Sequence, residues 1–143
     1  MSTVPTVVTP FASALGIEFL PPEGNFARAS MQPTPPLESS VGSGTVHVSA
    51  LTALLDNTCG AAIRLARSGG HESPFATLDL RMDHFAPARI DALVWAEAEC
   101  YRFTDSVAYA RAWVWQEDRA RPLAACTATF MLNTRAGLAD GAP

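Results

Sequence analysis

The sequence has no lysine, and all ten of its basic residues are arginine. Any contact with a phosphate must therefore come from a guanidinium or a backbone amide. Cysteine is scarce as well: Cys59, Cys100 and Cys126 stand at no CxxC spacing. An odd, unpaired set argues against a disulfide framework and a zinc knuckle, and leaves buried free thiols. No apolar run approaches the roughly 20 residues that a membrane helix needs, so no membrane partner is expected. The start, Met1-Ser2-Thr3-Val4-Pro5-Thr6, has no basic stretch and no apolar stretch after it. Without that secretory pattern the expected location is cytoplasmic. Basic blocks are missing and the net charge is −4, so nucleic acid is not an expected partner. The three histidines, His47, His71 and His84, lack ligand spacing, and no metal is expected.

What is present is an ordinary apolar content, 48% over 143 residues, enough for one domain with a real core and too short for two. Residues 1–9 and 134–143 read as flexible ends around a single domain over residues 10–133. Pro10 to Leu15 reads as a short helix closed by Gly16. Ile17 to Leu20 and Asn25 to Met31 read as strands around a Pro21-Pro22-Glu23-Gly24 turn. A long helix is expected from about Ser49 to Arg67, ended by Gly69-Gly70. Four strand-like runs follow: Phe75 to Phe85, Ala92 to Arg102, Val107 to Trp115 and Leu123 to Leu132. The first alternates, with Thr77, Asp79, Arg81 and Asp83 on one face and Ala76, Leu78, Leu80 and Met82 on the other. Each of the other three has a face of small residues, such as Ala108, Ala110 and Ala112. That pattern predicts an α+β fold, a curved antiparallel sheet curled tightly around one central helix.

The long helix carries the chemistry. Leu51, Leu54, Leu55, Thr58, Ala62 and Leu65 make one apolar face. Ser49, Thr52, Ala53, Asp56 and Gly60 make a second face of small side chains, with one carboxylate in its middle. Desolvating a carboxylate is costly, so Asp56 needs either a partner or a reaction to serve. His47 stands at the mouth of the helix, nine residues ahead. At ~1.5 Å per residue the two lie roughly 13 Å apart along the axis, too far to act on one bond from one chain. A site using both requires two copies of the chain.

A histidine nine residues ahead of an aspartate on a central helix, within this order of elements, resembles the hotdog fold, and most nearly the PaaI-like (phenylacetate-pathway) acyl-CoA thioesterases. That family's motif is G-x-x-H-G-G-x-x-x-x-L-x-D, and Gly44, His47, Leu54 and Asp56 fall close to it. Leu78-Asp79-Leu80-Arg81-Met82-Asp83-His84-Phe85-Ala86-Pro87-Ala88 is similar to the family's third strand and its closing Pro-Ala. The family's two glycines are Val48 and Ser49 here, and an asparagine carried by many members is Val41.

The resemblance implies hydrolysis of a short-chain or aromatic acyl-CoA to free acid and coenzyme A, at the interface of a homodimer or a dimer of dimers. Coenzyme A enters as part of the substrate, with no other cofactor. Asp56 would activate water or attack directly, with His47 at the helix start. Ser49 would cap the helix or donate to substrate, and Thr77 would orient the water. Val48, Asn57 and Arg89 would contact substrate, Arg89 through a phosphate. Two alternatives stand beside this: a non-catalytic acyl-CoA binding protein, favoured by Val41, Val48 and Ser49, and a hotdog-fold hydratase or dehydratase.

Overall fold

Spacing by threes and fours puts Leu51, Leu54, Leu55, Thr58 and Ala62 on one side of a 19-residue helix, α2 (Val48–Ala66), and all are buried. The computed structural model describes residues 8–67 and 74–134. Ahead of α2 come α1 (Pro10–Ala14), β1 (Ile17–Glu23), β2 (Phe26–Met31) and a 3₁₀ turn at Pro35–Leu37. After it come β3 (Phe75–His84), β4 (Val94–Phe103), β5 (Val107–Trp115) and β6 (Ala124–Leu132). Residues 1–7 and 135–143, most of the two expected flexible ends, lie outside the described residues, as do His71 and Gly69-Gly70. Thr9 caps α1, its Oγ1 accepting from the Ala12 N–H at 3.1 Å.

The six strands form one antiparallel sheet in the order β1-β2-β4-β5-β6-β3, so the chain leaves β2, crosses through α2 to the far edge, and returns beside β2. Its inner face is the floor of small residues expected from the sequence: Ala96, Ala98, Ala110, Ala112, Ala124, Cys126 and Ala128 are all buried. The bulk comes from the helix instead. Leu51, Leu54, Leu55 and Ile63 are fully buried, each contributing about 1.5–3 kcal/mol by leaving water. A floor of alanines lets α2 come close, and the sheet curls round it. Phe19 from β1 and Phe75 from β3, on opposite edges of the sheet, line one cleft. This is the α+β hotdog architecture.

Two local expectations are corrected. Pro21 and Pro22 are not in the turn: β1 continues through them to Glu23, and the reversal is Gly24-Asn25, with Gly24 at φ +60°. An edge strand tolerates proline because one side of its backbone has no strand to pair with, and the pairing with β2 shifts register over these residues. The second correction matters more. β3 does not alternate strictly, because Thr77 pairs with Phe130 and Asp79 with the adjacent Thr129, leaving Leu78 as a bulge. The extra residue moves Thr77 off the face of Asp79, Arg81 and Asp83 and onto the helix side with Leu80 and Met82. Among the described residues no helix is long and apolar enough to cross a membrane.

Candidate active site

The loop before α2 is pinned at several points. Glu38 accepts from the N–H groups of Gly42 and Gly44 at 3.2 and 3.0 Å, and both glycines adopt positive φ, +76° and +71°. The His47 N–H donates to the Leu37 carbonyl at 2.7 Å, and the Val46 N–H to Ala88 at 2.8 Å. His47 is itself the N-cap: its Nδ1 accepts from the Ser49 N–H at 3.1 Å. The expectation that Ser49 caps the helix is corrected, since Ser49 is the second helical residue and its amide receives the cap. Between them stands Val48, the first helical residue. Its N–H has no hydrogen-bond partner among the described residues, and its side chain is exposed. An unused donor at the positive end of a 19-residue helix can stabilise a negative oxygen placed against it.

Two turns further on, the bulge of β3 brings Thr77 against the helix. Thr77 Oγ1 donates to Asp56 Oδ1 at 2.7 Å, while Oδ2 accepts no bond among the described residues. Asp56 is half-buried at the junction of two depressions, which share Asp56, Asn57 and Thr77. One is a groove of about 390 Å³ running toward the helix start, past Ala53, Thr52 and Ser49, with Phe11 and Leu80 at its sides. The other is a cleft of about 190 Å³ on the far side, over Gly60, walled by Phe19, Phe75 and Phe130. Asn57 Nδ2 donates to the Ala53 carbonyl at 2.8 Å, which fixes the side chain along the groove. Within the core, near Asp56, the Cys59 and Cys126 sulfurs lie 3.8 Å apart. Hydrogen bonding to Cys126 and burial push the Cys59 thiol well above its usual range, and the charge of Asp56 adds to this. A thiol so held is no nucleophile at neutral pH.

The thioesterase superfamily model matches residues 43–123. This span runs from the pinned loop through Asp56 and Thr77 to the start of β6. The chain belongs to the thioesterase superfamily. Among solved structures, a Pseudomonas aeruginosa protein is 30% identical, with TM-score 0.74, over 85% of this chain and 88% of that one. The Thermus thermophilus phenylacetic acid degradation protein PaaI, solved as a point mutant, is 27% identical at TM-score 0.71, over 86% and 98%. Escherichia coli PaaI, from the phenylacetic acid degradation operon, is 16% identical at TM-score 0.74, over 87% and 84%. No curated protein matches the chain. The fold and motif are thus those of a PaaI-like hotdog thioesterase, and thioester hydrolysis of a small molecule is the activity class that membership supports.

In this member of the superfamily the groove gathers Ser49, Asp56, Asn57 and Thr77 from one chain. It does not gather His47, Val48 or Arg89. His47 and Asp56 sit on one unbroken helix, nine residues apart, so the roughly 13 Å between them stands. Arg89 bridges to Thr45, two residues ahead of His47, and its guanidinium pairs with Asp91 at 3.1 Å and Glu117 at 2.7 Å. Those carboxylates raise its already high pKa. Val41, at the position of the family's asparagine, is fully exposed. Sequence reading missed Phe19, Phe75, Phe130 and Arg64, the walls of the second cleft. Gly60, on the small face, was the one signal: a Cβ there would meet the Phe75 ring at 3.5 Å. Among the described residues no cluster of His, Cys, Asp and Glu gathers as a metal site would.

Proposed function

We propose that this chain hydrolyses a short-chain or aromatic acyl-CoA to the free acid and coenzyme A, at a site built by two copies of the chain. The observation that carries the reading is the 2.7 Å bond from Thr77 to Asp56 at the junction of two depressions. It holds one carboxylate oxygen and leaves the other facing whatever enters. Water on Oδ2 gives up its proton to Asp56 and attacks the thioester carbon. The carbonyl electrons move to oxygen, and the collapse of that tetrahedral species expels the coenzyme A thiolate, which takes the proton back. Direct attack by Asp56 through a mixed anhydride uses the same geometry, and ¹⁸O from labelled water appearing in Asp56 after one turnover distinguishes it.

The oxyanion needs a donor that Asp56's own helix start, roughly 13 Å away, does not supply. The Val48 amide of a second copy fits this need, with His47 as the cap that orients it. The exposed backbone edge of β3 is a natural place for that copy to pair, so a homodimer is the minimal assembly. Arg89, Ser49 and Asn57 are assigned to substrate: Arg89 to a coenzyme A phosphate beside the helix start, the other two along the groove. A hydratase would need histidine and acid on one bond; within one chain the spacing of His47 and Asp56 disfavours it, and only a pair formed across two copies would supply it.

The test is thiol release across a panel of acyl-CoAs, with sedimentation of the same sample. Turnover of at least one short-chain or aromatic thioester by a dimer or larger assembly is expected. Tight coenzyme A binding without thiol release would instead favour an acyl-CoA binding protein. A monomer that turns over would overturn the shared site.

A further inference from the structure

The second cleft has a cation in it that the reaction does not use. Arg64 lines the cleft with Asp56, Gly60, Phe19, Phe75 and Phe130. Side chains on a helix lean toward its N-terminus, and Arg64 does so: its Nη1 would stand 3.9 Å from a Cβ placed on Gly60, one turn back. The guanidinium lies over the Phe75 ring, Cζ 4.8 Å from the centroid, and Phe75 packs edge-to-face on Phe130 at 5.8 Å. A guanidinium has five N–H donors, so stacking and any further bond leave capacity for an anion. From Asp56 to Gly60 is four residues, a rise of about 6 Å. A carbonyl reacting at Asp56 is therefore separated from the cation by about the span of one benzene ring and its substituent.

Resting on the thioesterase reading above, we infer that the acyl group taken here is an aroyl group carrying a carboxylate at its far end. The ring enters the cleft of about 190 Å³ between Phe19, Phe75 and Phe130, and the distal carboxylate meets Arg64. A planar guanidinium fork matches a carboxylate in two parallel hydrogen bonds, which no apolar wall of this cleft provides. Charge sets the direction of entry as well: the anionic end is drawn to Arg64 and repelled by Asp56, so the thioester end is the one presented to the reacting carboxylate. Arg64 is thus a specificity-determining residue.

The test compares benzoyl-CoA with 4-carboxybenzoyl-CoA, in the wild type and in Arg64→Met, which keeps a stem to cover Phe75. The kcat/KM ratio should favour the carboxylated substrate in the wild type and fall about tenfold or more in Arg64→Met. Arg64→Lys, keeping the charge without the fork, should lie between, and guards against a variant that folds poorly. Equal ratios in wild type and Arg64→Met would overturn the inference. A second arm needs no turnover: binding of terephthalate against benzoate to the same proteins. If neither these two nor any other thioester of the panel is cleaved, the hydrolytic reading fails on its own. The Arg64 assignment then stands if terephthalate binds more tightly than benzoate and loses that margin in Arg64→Met, and falls if the two acids bind alike.

Discussion

The two faces of α2 do opposite things with the same backbone. Leu51, Leu54 and Leu55 face a floor of alanines, and beside them the Thr58 hydroxyl donates to the Leu54 carbonyl at 2.6 Å. Asp56, Asn57 and Gly60 face the cleft between the two edges of the sheet, and there one carboxylate is held by one hydroxyl beside open space. Stability is concentrated where side chains are large and apolar. The proposed chemistry falls where they are small enough for a ligand to approach. A curled sheet, then, needs its helix to close the core on one side only.

Substitutions that separate the faces make this testable. The largest effect is expected from Asp56→Asn, with kcat for thioester hydrolysis falling about 10³-fold while the melting temperature stays near that of the wild type. A large loss of melting temperature would mean that the carboxylate holds the fold instead. Leu54→Ala should do the reverse, costing about 2–5 kcal/mol in denaturant unfolding while the folded fraction turns over normally. Val48→Pro removes the helix-start N–H at a position where proline suits the helix, and the ψ of 134° at His47 already suits a following proline. Its kcat should fall about 100-fold with folding intact, the cost of losing one oxyanion donor.

Thr77→Val removes the hydroxyl that holds Asp56. The rate should fall roughly tenfold, with recovery in Thr77→Ser. Equal loss in both variants would place the effect in packing. The smallest effect belongs to Cys59→Ala, one turn from Asp56 and buried: about 1 kcal/mol of stability, with kcat within about twofold. A greater loss of rate would reopen the thiol that burial and Cys126 hold in its neutral form.

Much of this contrast was legible in the residues themselves. The apolar spacing of Leu51, Leu54 and Leu55 gave one face of the helix, and the small residues of β4, β5 and β6 gave the floor beneath it. Asp56 stood out because a carboxylate among alanines and leucines is costly to bury. Thr77 shows the limit. Period-two alternation assigns it to the face of Asp79, and only the bulge at Leu78 turns it toward Asp56. A bulge is one unpaired residue fitted against a partner strand far along the chain, so nothing near Thr77 encodes it. His47 shows another limit. A serine two residues into the pattern was the better cap by type, but a ring nitrogen one residue ahead of the helix caps it by accepting from that serine's own amide. The aromatic cleft was hidden because Phe75 and Phe130 come from paired strands far apart in the chain, and Phe19 joins them from the opposite edge of the sheet.

The shared site is most directly tested by mixing two inactive chains. Asp56→Asn and Val48→Pro homodimers each lack one half of every site. In a mixed dimer, the intact Asp56 of one protomer faces the intact Val48 of its partner, so one site in two is whole. Random reassociation then restores about a quarter of the wild-type rate. No activity above the average of the two parents would place both groups in one chain's site, and contradict the arrangement.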